Sequence, residues 1–163
     1  MRLFFSYLAL LVLLILQTTL GAHIAVLGVA PDFVLVFVLC RCLTDRPIPA
    51  AAFGMAAGVL LEMTRGRLIG FHGVLMHYVG LGASVFGNNF FRGNLYVSVA
   101  AAFCVTVVYQ LAYGFFNFFI FGGVDVGYLM LHVILVGALY NAVCAVPLYF
   151  LSKRLGAEKI KDF

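Results

Sequence analysis

Long apolar runs alternate with short polar breaks along the whole chain. The runs cover residues 3–20, 31–43, 49–63, 68–85, 95–121 and 126–151. A helix needs about 20 apolar residues to cross a bilayer core of about 30 Å, and its backbone must satisfy its own hydrogen bonds there. The pattern therefore predicts an all-α integral membrane bundle of six transmembrane helices.

The runs differ in length. At a rise of about 1.5 Å per residue, the second and third extend only about 20 Å, whereas the fifth and sixth approach 40 Å. Short helices either lie inside a bundle or thin the bilayer, and long ones tilt.

Composition argues against a soluble or catalytic domain. The chain is 65% hydrophobic and 10% charged, and no polar stretch is long enough to fold outside the membrane. It carries no GxSxG, Walker or HExxH motif. We therefore expect no enzyme activity, no cofactor and no metal. The four cysteines lie in or beside apolar runs, which favours packing.

The basic residues indicate orientation. With six spans and a cytoplasmic N-terminus, only Arg65 and Arg67 face outward, and the other lysines and arginines face the cytoplasm. This positive-inside pattern places both termini in the cytoplasm. It predicts a six-helix transmembrane domain over residues 1–152 and a short basic tail over 153–163. The tail is too short to bind nucleic acid and would at most contact anionic membrane lipids. We expect the first run to be an uncleaved helix, because cleavage would remove one span.

Gly54, Gly58 and Glu62 are spaced four residues apart, on one side of a predicted helix. Such small-residue spacing lets another helix approach closely. Two interpretations are open, namely packing within the chain and docking of a helix from another protein. Likewise, Glu62 either pairs with Arg65, three residues on, or contacts a partner or substrate.

Other polar residues have structural interpretations. Pro31 and Asp32 resemble a helix start, since proline fits the first turn and a carboxylate favours the positive end of the helix dipole. His72 and His77 are five residues apart and cannot present two ligands to one metal ion. We expect them, and Asn141, to form hydrogen bonds inside the bundle.

The order of these features resembles the rod shape-determining protein MreD family. The resemblance covers residues 31–92: the Pro31–Asp32–Phe33 triplet, the Gly54, Gly58 and Glu62 spacing, the turn glycine Gly66, then Gly70, Tyr78 and Gly80. Family members more often carry Asp at the position of Glu62. The last two runs match only in hydrophobicity.

The resemblance implies a non-enzymatic multi-pass subunit of the cell-elongation machinery in the cytoplasmic membrane of rod-shaped bacteria. Its expected partners are the membrane helix of an MreC-type protein, the RodA and class B penicillin-binding protein synthase complex and, indirectly, MreB filaments. Gly54, Gly58 and Gly70 would be the close-approach positions for a partner helix. Glu62 and Arg65 would form a polar lock at the outer end.

The family is also similar in fold to the S components of energy-coupling-factor vitamin transporters. This similarity supplies an alternative, the capture of a small molecule by an S-component-like bundle. His72, His77, Asn141 or Tyr140 would then line the cavity.

Overall fold

In a computed structural model of the protein, the described residues are 2–21, 23–25, 28–65, 70–90, 94–121 and 126–155. Their regular elements are helices, which confirms the all-α class. In chain order these are α1 (Arg2–Leu20), α2 (Phe33–Cys42), α3 (Pro47–Arg65), α4 (Phe71–Phe90), α5 (Leu95–Phe121) and α6 (Val126–Leu155).

Three of these helices contain segments long and apolar enough to cross a membrane: Pro47–Thr64 in α3, Leu95–Phe116 in α5 and Val133–Leu155 in α6. α1 and α2 contribute shorter apolar segments. α4 has 20 residues but is not among the three.

Only α5 has the bounds of its predicted run, and the other differences are clearest at α3, α4 and α6. α3 begins at Pro47, because proline is well suited to the first turn of a helix. α4 runs from Phe71 to Phe90, later than the predicted 68–85. α6 continues to Leu155, inside the segment predicted as a tail. Residues 156–163 of that tail lie outside the described part of the chain.

α2 forms the centre of the protein. Nine of its ten residues are buried, and it contacts each of the other helices. With about 1.5 Å of rise per residue, it extends only about 15 Å. Of the two expectations for a short run, the structure shows the helix inside the bundle.

Two antiparallel hairpins flank α2, one made of α3 and α4 and the other of α5 and α6. α3 and α4 form the most extensive helix pair. By contrast, α4 and α5 have few close backbone approaches, and the two hairpins meet there through side chains. The outer faces of the helices carry large exposed apolar side chains, including Phe4, Ile15, Val108 and Val143.

Candidate functional site

Glu62 joins the end of α3 to the start of α4. Its buried carboxylate accepts hydrogen bonds from the backbone N–H groups of Gly70, at 2.7 Å, of His72, and of Gly73, at 3.3 Å. The first N–H groups of a helix lack partners within the helix, and the dipole makes that end positive. Glu62 therefore caps α4 from a neighbouring helix.

The predicted partner of Glu62 was Arg65. The side chain of Arg65 lies outside the described residues, so the ion pair stays a prediction. The described contacts of Glu62 are with three backbone N–H groups, those of Gly70 directly before α4 and of His72 and Gly73 in its first turn.

Gly54 and Gly58 lie against α4 of the same chain. A Cβ atom at Gly54 would overlap the carbonyl oxygen of Met76, and one at Gly58 would lie 2.6 Å from the Cα of Gly73. α4 contributes its own small residue, since a Cβ at Gly80 would overlap the carbonyl oxygen of Ala50. The glycine surface is thus occupied by α4, which leaves no room there for a helix of another protein.

Gly70 has a backbone conformation that favours glycine. No atom of the described residues lies within 4 Å of where its Cβ would be, and its φ is +94°. Side-chain-bearing residues rarely adopt that conformation. Gly70 therefore has to be glycine for its own backbone conformation, and the close approach of a partner helix at this position stays a prediction.

Pro31 and Asp32 lie at a helix start, as predicted. Asp32 is the N-cap of α2, and its side chain accepts a hydrogen bond from the N–H of Leu35 at 3.2 Å. It also accepts one from Nε2 of Gln17 on α1, at 3.2 Å. The side-chain amide oxygen of Gln17, Oε1, in turn accepts a hydrogen bond from the backbone N–H of Val34 at 3.1 Å.

The same helix start is held from α6. Oδ1 of Asn141 accepts the backbone N–H of Asp32 at 2.8 Å, and Nδ2 of Asn141 donates to the Thr106 hydroxyl on α5 at 3.2 Å. Gln17, Asp32, Asn141 and Thr106 therefore form one polar network that connects α1, α2, α5 and α6. Sequence reasoning placed Asn141 in a hydrogen bond within the bundle but did not identify Gln17 or Thr106. The sequence signal for Gln17 and Thr106 was a polar side chain within an apolar run, which usually forms a hydrogen bond to another helix.

His72 connects the two hairpins. Its Nδ1 lies 2.6 Å from the hydroxyl oxygen of Tyr109 on α5, and its ring stacks on that of Tyr113 with centroids 4.8 Å apart. The ring of Phe71 packs against that of Phe116 on α5, with centroids 4.8 Å apart. His72 therefore takes part in two contacts: its backbone N–H donates to Glu62 in the cap of α4, and its side chain meets α5.

The opposite end of α2 carries a buried ion pair that sequence reasoning missed. A nitrogen of the Arg41 guanidinium lies 2.5 Å from a carboxylate oxygen of Asp45, and Nε of Arg41 donates to the Ser6 hydroxyl at 3.2 Å. The spacing of four residues between Arg41 and Asp45 was the available signal. This pair fixes the chain as it leaves α2.

Within the described residues, no cluster of His, Cys, Asp and Glu is suited to hold a metal ion. Cys40 and Cys42 are buried, and Cys104 is exposed. His72 and His77 belong to the same helix, and the described contacts of His72 lead to α5 and to Glu62.

No family model, curated protein or solved structure matches this chain. What the arrangement can do is therefore argued from its residues. The polar groups described above hold helices in place, and the outer faces carry many large apolar side chains.

Proposed function

We propose that this protein is a non-enzymatic membrane scaffold of the bacterial cell-elongation machinery. In this proposal it lies in the cytoplasmic membrane with six spans and both termini in the cytoplasm. It binds an MreC-type protein and links the RodA and class B penicillin-binding protein synthase complex, and indirectly the MreB filaments. It would act by binding the helices of other membrane proteins and would not catalyse a reaction.

One observation supports the proposal most directly. Two of the three carboxylates in the segment that resembles the MreD family, Asp32 and Glu62, accept backbone N–H groups at helix starts. Carboxylates engaged in this way stabilise a fixed bundle. A rigid bundle with apolar outer faces is suited to hold other membrane helices by packing.

The vitamin-binding alternative depended on free polar groups inside the bundle. Three of its four candidates form hydrogen bonds within the chain: His72 with Tyr109, Asn141 with Asp32 and Thr106, and the Tyr140 hydroxyl with the carbonyl of Ile24. Nothing favours a bound vitamin, so we propose the scaffold alone.

The proposal is tested by copurification from a native rod-shaped host. The chain is expressed with a C-terminal tag and crosslinked in the membrane, and the bound proteins are identified by mass spectrometry. We expect an MreC-type protein and wall synthases, absent from a control with an unrelated tagged membrane protein. Depletion of the chain should make rods round. Recovery of an ATPase module with a bound vitamin would refute the scaffold.

A further inference from the structure

α6 ends in two cations at the boundary of its apolar segment. The segment Val133–Leu155 is long and apolar enough to cross a membrane, and Lys153 and Arg154 lie in its last turn. Both side chains are exposed. Lysine and arginine at the end of a spanning helix extend their charged groups towards the lipid headgroups. The two cations therefore lie at the depth of the phosphate layer of a membrane.

Within the described residues, Lys153 and Arg154 have no acidic partner. The ion pair of this part of the chain joins Arg41 and Asp45, at the end of α2. Lys153 instead lies over the ring of Tyr149, with Nζ 5.9 Å from the ring centroid. A ring attracts an ammonium group but does not neutralise its charge. Both positive charges are therefore available to an anion from outside the chain.

A cavity of about 410 Å³ adjoins these cations and is lined by Phe150, Leu151, Lys153 and Arg154. Ligand sites commonly have volumes of about 300–1,000 Å³, so a small headgroup fits here. The lining changes along the helix. Phe150, which is 55% exposed, lies one turn before Arg154 and on the same side of the helix. The apolar part of the cavity thus lies towards the membrane interior, and the charged part lies towards its surface.

This order of apolar and charged groups matches a phospholipid. Seen from the membrane interior, a phospholipid presents first its acyl chains and then its phosphate. Arginine binds a phosphate through two parallel hydrogen bonds, and lysine binds it as a point charge. A soluble anion would use the cations alone and leave the apolar lining uncovered. A zwitterionic lipid would bring its own ammonium group close to two cations, which is unfavourable.

We propose that this cavity binds one anionic glycerophospholipid, with its phosphate between Lys153 and Arg154 and the upper part of an acyl chain on Phe150 and Leu151. The charge of the two cations and the apolar lining beneath them determine this choice of ligand. The inference goes beyond the proposed function, because it does not depend on which proteins the chain binds.

Native mass spectrometry of the purified full chain in a mild detergent tests the binding. The probe is dioleoyl phosphatidylglycerol, compared with dioleoyl phosphatidylethanolamine and with glycerol 3-phosphate as a soluble anion. We expect one phosphatidylglycerol to stay bound at concentrations at which the other two do not. Equal retention of both phospholipids would show an unspecific lipid shell, and equal binding of glycerol 3-phosphate would identify a soluble anion as the ligand. Either result would overturn the inference.

Substitution of the cations tests the site. Lys153→Gln and Arg154→Gln should each weaken phosphatidylglycerol binding about five-fold, the usual contribution of one basic side chain at an anionic membrane surface, and together about 25-fold. Arg46→Gln is the matched control. Arg46 is an exposed cation directly before α3, on the same side in the proposed orientation, and it does not line the cavity. An equal loss with Arg46→Gln would show that general surface charge attracts the lipid and that the cavity is not a site.

A stability measurement separates binding from folding. Basic residues in the last turn also complement the helix dipole, but at exposed positions this effect is small. Without added lipid, the double variant should therefore keep nearly the unfolding midpoint of the unmodified chain. A clearly lowered midpoint would assign the two cations to the end of α6 and overturn the inference. If phosphatidylglycerol does not bind but the MreC-type protein copurifies, the lipid site is wrong and the proposed function stands.

Discussion

The carboxylate of Glu62 lies 2.7 Å from the backbone nitrogen of Gly70, the residue that precedes α4. Glu62 belongs to the last turn of α3 and Gly70 lies directly before α4, so this hydrogen bond links the ends of the two helices. Glu62 also binds the N–H groups of His72 and Gly73. A single carboxylate therefore sets both where α4 begins and how it lies on α3.

We predict that Glu62→Ala lowers the free energy of unfolding by about 2 kcal/mol, because buried N–H groups at the start of α4 lose their charged acceptor. Glu62→Gln, which keeps one carbonyl acceptor, should cost less. Unfolding in detergent can be followed with a thiol-reactive dye, since Cys40 and Cys42 are buried and become reactive as the protein opens. Met63→Ala, at a neighbouring exposed residue, should change little, and an equal loss there would contradict the cap.

Gly70→Ala should destabilise the protein by about 1 kcal/mol, although its Cβ would meet nothing. The cause is the positive φ, which glycine tolerates and alanine does not. Gly82→Ala, in equally open space but with helical backbone, should be neutral or stabilising. The midpoint of thermal unfolding compares the two, and identical midpoints would argue against backbone strain at Gly70.

Gly58→Ala should cost about 1–3 kcal/mol, because its Cβ would lie within 2.6 Å of the Cα of Gly73 and the backbone of α4 must move away. The loss should appear in the isolated chain, without any partner present. If instead the isolated chain kept its unfolding midpoint and only partner binding fell, Gly58 would face another protein. Gly82→Ala again serves as the control.

Local features were predicted well from the sequence, and contacts between distant helices were not. Asp32 at the start of α2 was predictable because an N-cap involves residues only three positions apart. The acceptor role of Glu62 towards Gly70 was missed, since the nearest local cation, Arg65, offered a simpler pairing. Its donors belong to the next helix, and their position depends on how α4 packs.

The glycine spacing in α3 predicted a close helix contact but not the identity of the second helix. Gly54 and Gly58 would look the same in either case, because a small-residue surface serves α4 and a foreign helix equally. The short run at residues 31–43 was also ambiguous, because a short helix either lies inside a bundle or thins the bilayer. Burial of α2 on all sides follows from how the two hairpins flank it, which no single run of residues specifies.

Asn141 should be the most sensitive polar residue of α6. Asn141→Leu removes the acceptor of the Asp32 backbone N–H and the donor to the buried Thr106 hydroxyl, which we expect to cost about 1–3 kcal/mol. Thr106→Val alone should cost less, because it leaves one buried group, the Nδ2 of Asn141, without this partner, whereas the carbonyl of Ala102 still accepts a backbone N–H within α5. Val143→Leu, at an exposed site on the same helix, should be nearly neutral.

A double-mutant cycle between Asn141 and Thr106 isolates their contact. The combined loss should be smaller than the sum of the single losses by about 0.5–1 kcal/mol, because each substitution removes the same hydrogen bond. Thermal unfolding of the four variants in one detergent provides the measurement. Strict additivity would mean that α5 and α6 are held by apolar packing alone, and that Asn141 acts only through the start of α2.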